Sequence, residues 1–313
     1  MTIPKRAEIV EVGPRDGLQN ESVILPVEAK AALVEALAGA GLTRIEAGSF
    51  VSRAASPQMA TTAELLERLG PRPDLRLSVL VPNLRGLSDA MRAGAQEIAV
   101  FAAATESFSR RNINCSIAES LDRFSKIVAE ARGQGVWARG YVSCALGCPY
   151  EGGVEARQTA AVARALYALG CSEISLGDTI GVGTPLAARA LVETVAADVP
   201  VERLAVHFHD TYGQALANIF ACLEAGVPVI DASVGGLGGC PYAPGASGNV
   251  ATEDVVFMLN GMGVETGVDL DALLEAGAAV ARELGRAPES AVARARALKA
   301  NKRRASQPSR PGT

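Results

Sequence analysis

The sequence predicts an α/β fold, a closed (β/α)₈ barrel of the TIM type with extra C-terminal helices, and three observations lead there. Eight short runs rich in Val, Ile and Leu recur along the chain, the pattern of strands buried on both faces. Amphipathic stretches separate them, which implies a parallel sheet joined by helical crossovers. No Gly-x-Gly-x-x-Gly follows the first run, so an open dinucleotide-binding sheet is disfavoured and the count of eight favours closure. The strands are expected at Ala7–Val12, Arg44–Ala47, Arg76–Val81, Glu97–Ala102, Val136–Ser143, Glu173–Gly177, Leu204–His209 and Val229–Ser233. Helices are expected at Val27–Ala40, Ile117–Arg132, Val154–Leu169, Pro185–Ala197 and Gln214–Ala225. Gly41, Gly94, Gly170 and Gly226 stand where left-handed helix stops belong, and Thr184 stands as a cap before Pro185.

Residues 1–300 read as one catalytic domain, with helices added outside the barrel from Asp269 onward; residues 301–313 read as a disordered basic tail. Hydrophobic residues make up 49% of the 313, enough for a large core and too many for disorder. A net charge of −4 argues against a nucleic-acid partner. No apolar run reaches the roughly 18–20 residues of a membrane span. The N-terminus lacks the pattern of a signal or transit peptide, and the six cysteines are scattered without a Cys-x-x-Cys pair. A reducing cytoplasm is the expected location.

In such barrels chemistry sits at the carboxyl ends of the strands. Polar residues gather there: Arg15, Asp16 and Gln19 after the first strand, Glu46 on the second, Tyr141 and Ser143 on the fifth, Asp178 on the sixth, His207 and His209 on the seventh. The two histidines are the only ones in the chain and stand two apart, so both imidazoles face the barrel mouth. With Asp16 and Asn249 as oxygen donors, that set suits six-coordinate Mg²⁺ or Mn²⁺ better than zinc. Arg15 can steady a developing enolate oxygen or serve as a structural ion pair; Glu46 can support it or act as a buried salt-bridge partner. The glycine-rich stretch from Gly235 to Asn249 is a candidate lid, with Cys240 placed to move a proton when it closes or present as a spectator.

Five motifs carry a resemblance over Ala7 to Leu284. They are Val12-Gly13-Pro14-Arg15-Asp16-Gly17-Leu18-Gln19-Asn20-Glu21, Gly140 to Tyr150, Ser175-Leu176-Gly177-Asp178-Thr179, Val206-His207-Phe208-His209-Asp210-Thr211-Tyr212-Gly213, and Gly238 to Glu253 around Cys240. The chain resembles the hydroxymethylglutaryl-CoA lyases, within the wider group of metal-dependent barrels that includes isopropylmalate and homocitrate synthases. The Cys240 loop is specific to the lyase branch. The resemblance implies Asp16, His207, His209 and Asn249 as metal ligands, Arg15 as the enolate stabiliser, and Cys240 as a proton donor or acceptor. It implies that Gln19, Glu46, Tyr141, Ser143 and Asp178 bind substrate or assist, and that Glu253 buttresses the loop. Phe208 replaces a smaller residue of animal members and should face the helix layer; the C-terminal cysteine of those members is absent.

The implied reaction is the retro-Claisen cleavage of (S)-3-hydroxy-3-methylglutaryl-CoA to acetoacetate and acetyl-CoA, in leucine catabolism or ketone-body formation. The substrate hydroxyl and a carboxylate oxygen would meet the metal, His207 or Asp16 would take the hydroxyl proton, and Cys240 would protonate the enolate. The partners expected are an acyl-CoA substrate and a second copy in a homodimer. Three rivals stand beside this reading: a lyase for a bulkier 3-substituted glutaryl-CoA, a condensing synthase, and a non-catalytic metal-binding or scaffold protein.

Overall fold

The computed structural model describes residues 3–239 and 248–305. Eight parallel strands close on themselves: β1 (Glu8–Glu11), β2 (Arg44–Ser49), β3 (Arg76–Leu80), β4 (Glu97–Ala103), β5 (Trp137–Ser143), β8 (Glu173–Asp178), β9 (Leu204–Phe208) and β10 (Val229–Ala232). Their order around the barrel follows the chain, with β1 hydrogen-bonded between β2 and β10. The remaining two strands, β6 (Gly147–Cys148) and β7 (Gly152–Gly153), form a small antiparallel hairpin above β5 that the sequence reading did not anticipate. Each barrel strand lies within two residues of its expected bounds.

Helices α1 (Val27–Gly39), α5 (Ile117–Gly133), α6 (Ala156–Leu169), α7 (Pro185–Val195) and α8 (Ala215–Glu224) fill the expected crossovers. Three short ones complete the layer: α3 (Leu84–Arg92), whose end the Gly94 stop marked, and α2 (Thr62–Leu69) and α4 (Glu106–Ile113), which were not anticipated. The four glycine stops hold positive φ, between +86° and +104°. Thr184 takes the extended cap conformation, but its side chain makes no capping hydrogen bond, so Pro185 alone marks that start. Beyond the barrel lie α9 (Thr252–Gly261), α10 (Leu270–Glu283) and α11 (Ala291–Ala305). The last turn of α11 takes in residues 301–305, the beginning of the segment read as a basic tail; residues 306–313 lie outside the described residues.

Strand alternation sorts the side chains into two populations. Ile45, Leu77, Val79, Ala138, Val142, Ile174, Leu176, Val206, Phe208 and Ile230 point outward into the main apolar core beneath the helices. Each of the Val, Leu, Ile and Phe side chains among them, fully buried, stabilises the fold by roughly 1.5–3 kcal/mol. Phe208 therefore packs against the helix layer, as expected. The inward positions are different. Apart from two small apolar groups, Val10–Val12–Ala205–Val229 and Leu80–Ala99–Tyr141, they carry Arg44, Glu46, Ser78, Arg139, Glu173, Ser175, His207 and Asp231, all buried. A barrel interior is ordinarily a stack of branched apolar side chains. This one holds a column of bonded charges that leads to the site.

Candidate active site

The first βα connection is a single wide helical turn, Gly13–Gly17, opened by Pro14. It needs its glycines. A Cβ on Gly17 would lie 2.7 Å from Ser233 Oγ and 2.8 Å from Leu237 Cβ, so only glycine lets this turn press against the segment after β10. The turn aims Arg15 and Asp16 over the carboxyl end of the barrel. Arg15 is 6% exposed. Its Nε donates to Glu46 Oε2 at 2.5 Å, and its Nη1 pairs with Asp16 Oδ1. Its guanidinium carbon stands 5.7 Å from the centre of the Tyr141 ring.

His207 is the next-to-last residue of β9 and His209 lies just past its end, their rings 5.7 Å apart at the same mouth. Their Nε2 atoms lie 3.7 and 4.0 Å from Asp16 Oδ2, too far for hydrogen bonds and suited to sharing a cation. Asp16, His207 and His209 form the one His/Cys/Asp/Glu group among the described residues whose ligand atoms all lie within 4.8 Å of one another. Asn249 is held opposite His209 by an isolated strand bridge, and its Nδ2 donates to Asp16 Oδ2 at 2.8 Å. A half-turn of that amide would present Oδ1 instead. His209 Nδ1 is buried with no hydrogen-bond partner among the described residues.

The charges of the cluster are settled by its neighbours. Burial works against the Asp16 carboxylate, yet Arg15, both histidines and the Asn249 hydrogen bond hold its pKa well below the usual range. Burial, aided by His207, pushes His209 down to about 4, so it is a neutral lone-pair donor at physiological pH. Burial pushes Glu46 up, against the pull of Arg15, and its Oε1 is without a partner among the described residues.

Arg15, Asp16, His207 and His209 floor a cavity of about 560 Å³. Its walls include Val51, Leu80, Phe101, Phe108 and Ile113, with Asn83, Asn112 and Arg123 also lining it. Gln19, Tyr141 and Ser143 line it too. Asp178 does not. It is fully buried, and its carboxylate accepts from the backbone N–H of Val182 at 3.2 Å and Gly183 at 2.8 Å, so it fastens the turn after β8. Cys240 lies outside the described residues.

Glu253 sits under the start of the glycine-rich loop, where both carboxylate oxygens accept from Gly235 N–H at 2.9 and 3.0 Å. Beside it, Glu11 accepts from Gly13 N–H at 2.8 Å, Val234 N–H at 2.9 Å and the Thr252 hydroxyl at 2.7 Å. Glu11 thus ties the Arg15–Asp16 turn to the loop base, a role the sequence reading missed. Burial raises Glu11 to about 7; burial, with Glu11 nearby, raises Glu253 to about 8. Both folded values exceed the unfolded one, so the stability these groups contribute is fully present below about pH 4.5 and is lost as pH rises through 7 to 8. The thermal midpoint should therefore fall between pH 6 and 9, and Glu253→Gln should flatten that fall by an amount on the order of 3 kcal/mol. Thermal melts of both proteins across this range check it; parallel curves would show that Glu253 is ionised in the fold at little cost.

Arg139, Ser175 and Asp231, which surround His207 from inside the barrel, were also missed. The signal was present as charged and hydroxyl residues at inward positions of apolar strands.

Comparison with known proteins gives a consistent picture. The family described as HMGL-like matches residues 6–280. The chain is 56% identical over 300 residues to the 3-hydroxy-3-isohexenylglutaryl-CoA/hydroxymethylglutaryl-CoA lyase of Pseudomonas aeruginosa, covering 96% of this chain and 100% of that one. It is 56% identical over 294 residues to the mitochondrial hydroxymethylglutaryl-CoA lyase of Bos taurus, covering 94% and 90%. The crystal structure of a hydroxymethylglutaryl-CoA lyase from Pseudomonas aeruginosa superposes with a TM-score of 0.93 at 56% identity, covering 96% and 100%.

Proposed function

The chain belongs to the HMGL-like family, and from that membership together with the site we propose that it is a carbon–carbon lyase that cleaves 3-hydroxy-3-methylglutaryl-CoA to acetoacetate and acetyl-CoA. The observation that carries the reading is the meeting of Arg15 and Asp16 with His207 and His209 over one cavity at the carboxyl end of the barrel. Asp16, His207, His209 and Asn249 would hold a divalent cation, Mg²⁺ or Mn²⁺ by the hardness of the donors. Bound there, the cation supplies Lewis-acid polarisation of the substrate's 3-hydroxyl and lowers its pKa.

The protein's own groups do the rest. Asp16 is held ionised by Arg15, which makes it a weak proton acceptor and leaves His207 as the stronger base of the two, a role open to it only while its Nε2 lone pair is not engaged by the cation. As C2–C3 breaks, negative charge grows on the thioester oxygen, and the Arg15 guanidinium, already desolvated, is the cation poised to meet it. Cys240 is assigned the proton delivered to the acetyl-CoA enolate. Gln19, Tyr141 and Ser143 shape the cavity, Glu46 orients Arg15, Asp178 fixes the β8 turn, and Glu253 anchors the loop base.

Incubation of the purified protein with 3-hydroxy-3-methylglutaryl-CoA, with Mg²⁺ or with chelator, tests the reading. Acetoacetate released only with metal is expected; its absence with every divalent cation, from a protein that binds one, would overturn it. A second reading has its own support. The Pseudomonas relative is named for an isohexenyl substrate as well, and the apolar cavity wall of Val51, Leu80, Phe101 and Ile113 offers a surface for a longer 3-substituent. Rates on the two thioesters separate a strict from a dual lyase.

Among the described residues no helix is long and apolar enough to cross a membrane. The five described cysteines are free and buried, which supports a reducing cytoplasm. We read the assembly as a homodimer, in which exposed apolar side chains such as Leu186, Tyr212 and Phe257 are the kind of surface a subunit contact covers.

A further inference from the structure

His207 is gripped from behind. Its Nδ1 lies 3.1 Å from Asp231 Oδ2, the residue paired with it in register on β10. Asp231 is 2% exposed and is itself saturated with donors. Arg139 approaches it with both terminal nitrogens, Nη2 to Oδ1 at 2.5 Å and Nη1 to Oδ2 at 3.0 Å, and the Ser175 hydroxyl donates to Oδ2 at 3.0 Å. The same Arg139 Nη1 donates to the Tyr141 hydroxyl at 2.8 Å, and the Tyr141 ring stands edge-on to His207 at 5.8 Å. Below, Arg139 Nε is 2.7 Å from Glu173, which Arg44 grips with two hydrogen bonds of 3.0 and 3.1 Å. A column of alternating charge thus runs up the barrel axis and ends on one imidazole nitrogen.

A carboxylate that receives three N–H or O–H donors beside the ring can only accept from the ring as well. The His207 proton must then sit on Nδ1. We propose that Asp231 is a positioning residue that fixes the His207 proton on Nδ1 and directs the Nε2 lone pair at the seat beside Asp16. The inference rests on the metal-site reading above and deepens it. Holding a cation and accepting the hydroxyl proton both need a lone pair on Nε2, and neither is possible if the proton sits there. His209 has no such support: its Nδ1 has no partner among the described residues, so the two histidines differ in how firmly their tautomers are set.

The chain holds only two histidines, which makes the proposal directly observable. The full-length protein would be labelled with ¹⁵N-histidine and kept metal-free, at a pH where both imidazoles are neutral. Two-bond ¹H–¹⁵N correlations then report each tautomer, with His209→Gln used to assign the pair. Wild type is expected to show His207 with its proton on Nδ1. In Asp231→Ala the proton should move to Nε2, the position an unconstrained imidazole prefers and Asp16 Oδ2 attracts, and Mn²⁺ affinity by electron paramagnetic resonance should fall about 10–100-fold. Asp231→Glu keeps a carboxylate, an acceptor at both oxygens, so it should restore the Nδ1–H pattern and part of the affinity. A merely structural role for Asp231 would not move the tautomer in this graded way. The proposal is overturned by a wild-type His207 protonated on Nε2, or by Asp231→Ala retaining both the wild-type tautomer and wild-type Mn²⁺ affinity. If Asp231→Ala does not fold, wild type and Asp231→Glu decide: the proton on Nδ1 in both supports the assignment, and on Nε2 in either overturns it. No substrate enters these measurements, so the result is independent of whether acetoacetate is formed.

Discussion

Arg15→Gln is expected to lower turnover by at least about 10³-fold while changing Mn²⁺ affinity less than about tenfold. Removal of one pre-aimed donor from a desolvated site typically costs about 10²–10³ in rate. Here the lost group is charged and is bound to both Glu46 and Asp16, so the upper end of that range or beyond applies. Glutamine can reach one of those carboxylates but carries no charge to the thioester oxygen. The metal seat is affected only indirectly, because Asp16 keeps Oδ2 facing both histidines and loses its partner at Oδ1. Arg15→Lys should fall between the two, since an ammonium supplies charge without the planar fork that bridges two carboxylates. The variant also leaves Glu46 buried without its cation. Glu46, already pushed up by burial, should take a proton, at a stability cost of about 1–3 kcal/mol. Steady-state acetoacetate release, a Mn²⁺ titration and a thermal melt measure the three effects. Turnover within tenfold of wild type would remove Arg15 from the chemistry and leave it as a salt bridge.

The contrast between what could be read and what could not has a physical pattern. The eight strands are legible because their outward faces are buried beneath the helices, which sets Val, Ile and Leu at alternate positions, as in Ile98–Ala99–Val100 and Ile174–Ser175–Leu176. The long crossovers α1, α5 and α6 are legible for the opposite reason, since one face of each meets water. Helices α2, α3 and α4 have only eight or nine residues, barely two turns, and too short for a periodic stripe to stand out. The hairpin β6–β7 pairs three glycines and a cysteine, which carry no strand preference. At the site, Asp16, His207 and His209 converge because each lies at or soon after the end of a strand, and strand ends can be located from sequence; Asn249, far along the loop after β10, is brought to them by its bridge to His209. Arg139, Ser175 and Asp231 could not be located that way, because they sit one layer deeper, inside strands. An arginine and an aspartate at inward positions are expensive to bury unless they meet, and only the three-dimensional register shows that they do. Asp178 illustrates the converse. It stands at a strand end like the others, yet its oxygens are taken by the backbone of the turn it closes.

Asp16→Asn is expected to abolish metal binding where His209→Ala only weakens it. Asp16 is the single charged donor of the set, and it faces both imidazoles at about equal distance, 3.7 and 4.0 Å. A hard divalent cation gains most from an anionic oxygen, and an amide cannot replace that charge. His209 is neutral, pushed down to about 4 by burial and His207, so its loss removes one lone pair and no charge. The expectation is an increase of at least about 100-fold in the Mn²⁺ dissociation constant for Asp16→Asn and roughly tenfold for His209→Ala, in line with the cost of disturbing a metal's surroundings. Thermal shift reads this without substrate. A cation at 100 times its dissociation constant stabilises the fold by about 2.7 kcal/mol, so Mn²⁺ should raise the midpoint of the wild type, raise that of His209→Ala less, and leave that of Asp16→Asn unmoved. The metal-free Asp16→Asn protein should also melt below metal-free wild type. A carboxylate whose folded pKa lies below its unfolded value contributes stability above that unfolded value, and at neutral pH the amide forfeits it. A Mn²⁺-induced shift of wild-type size in Asp16→Asn would move the metal away from the two histidines altogether, and with it the base, the enolate partner and the column of charge beneath them.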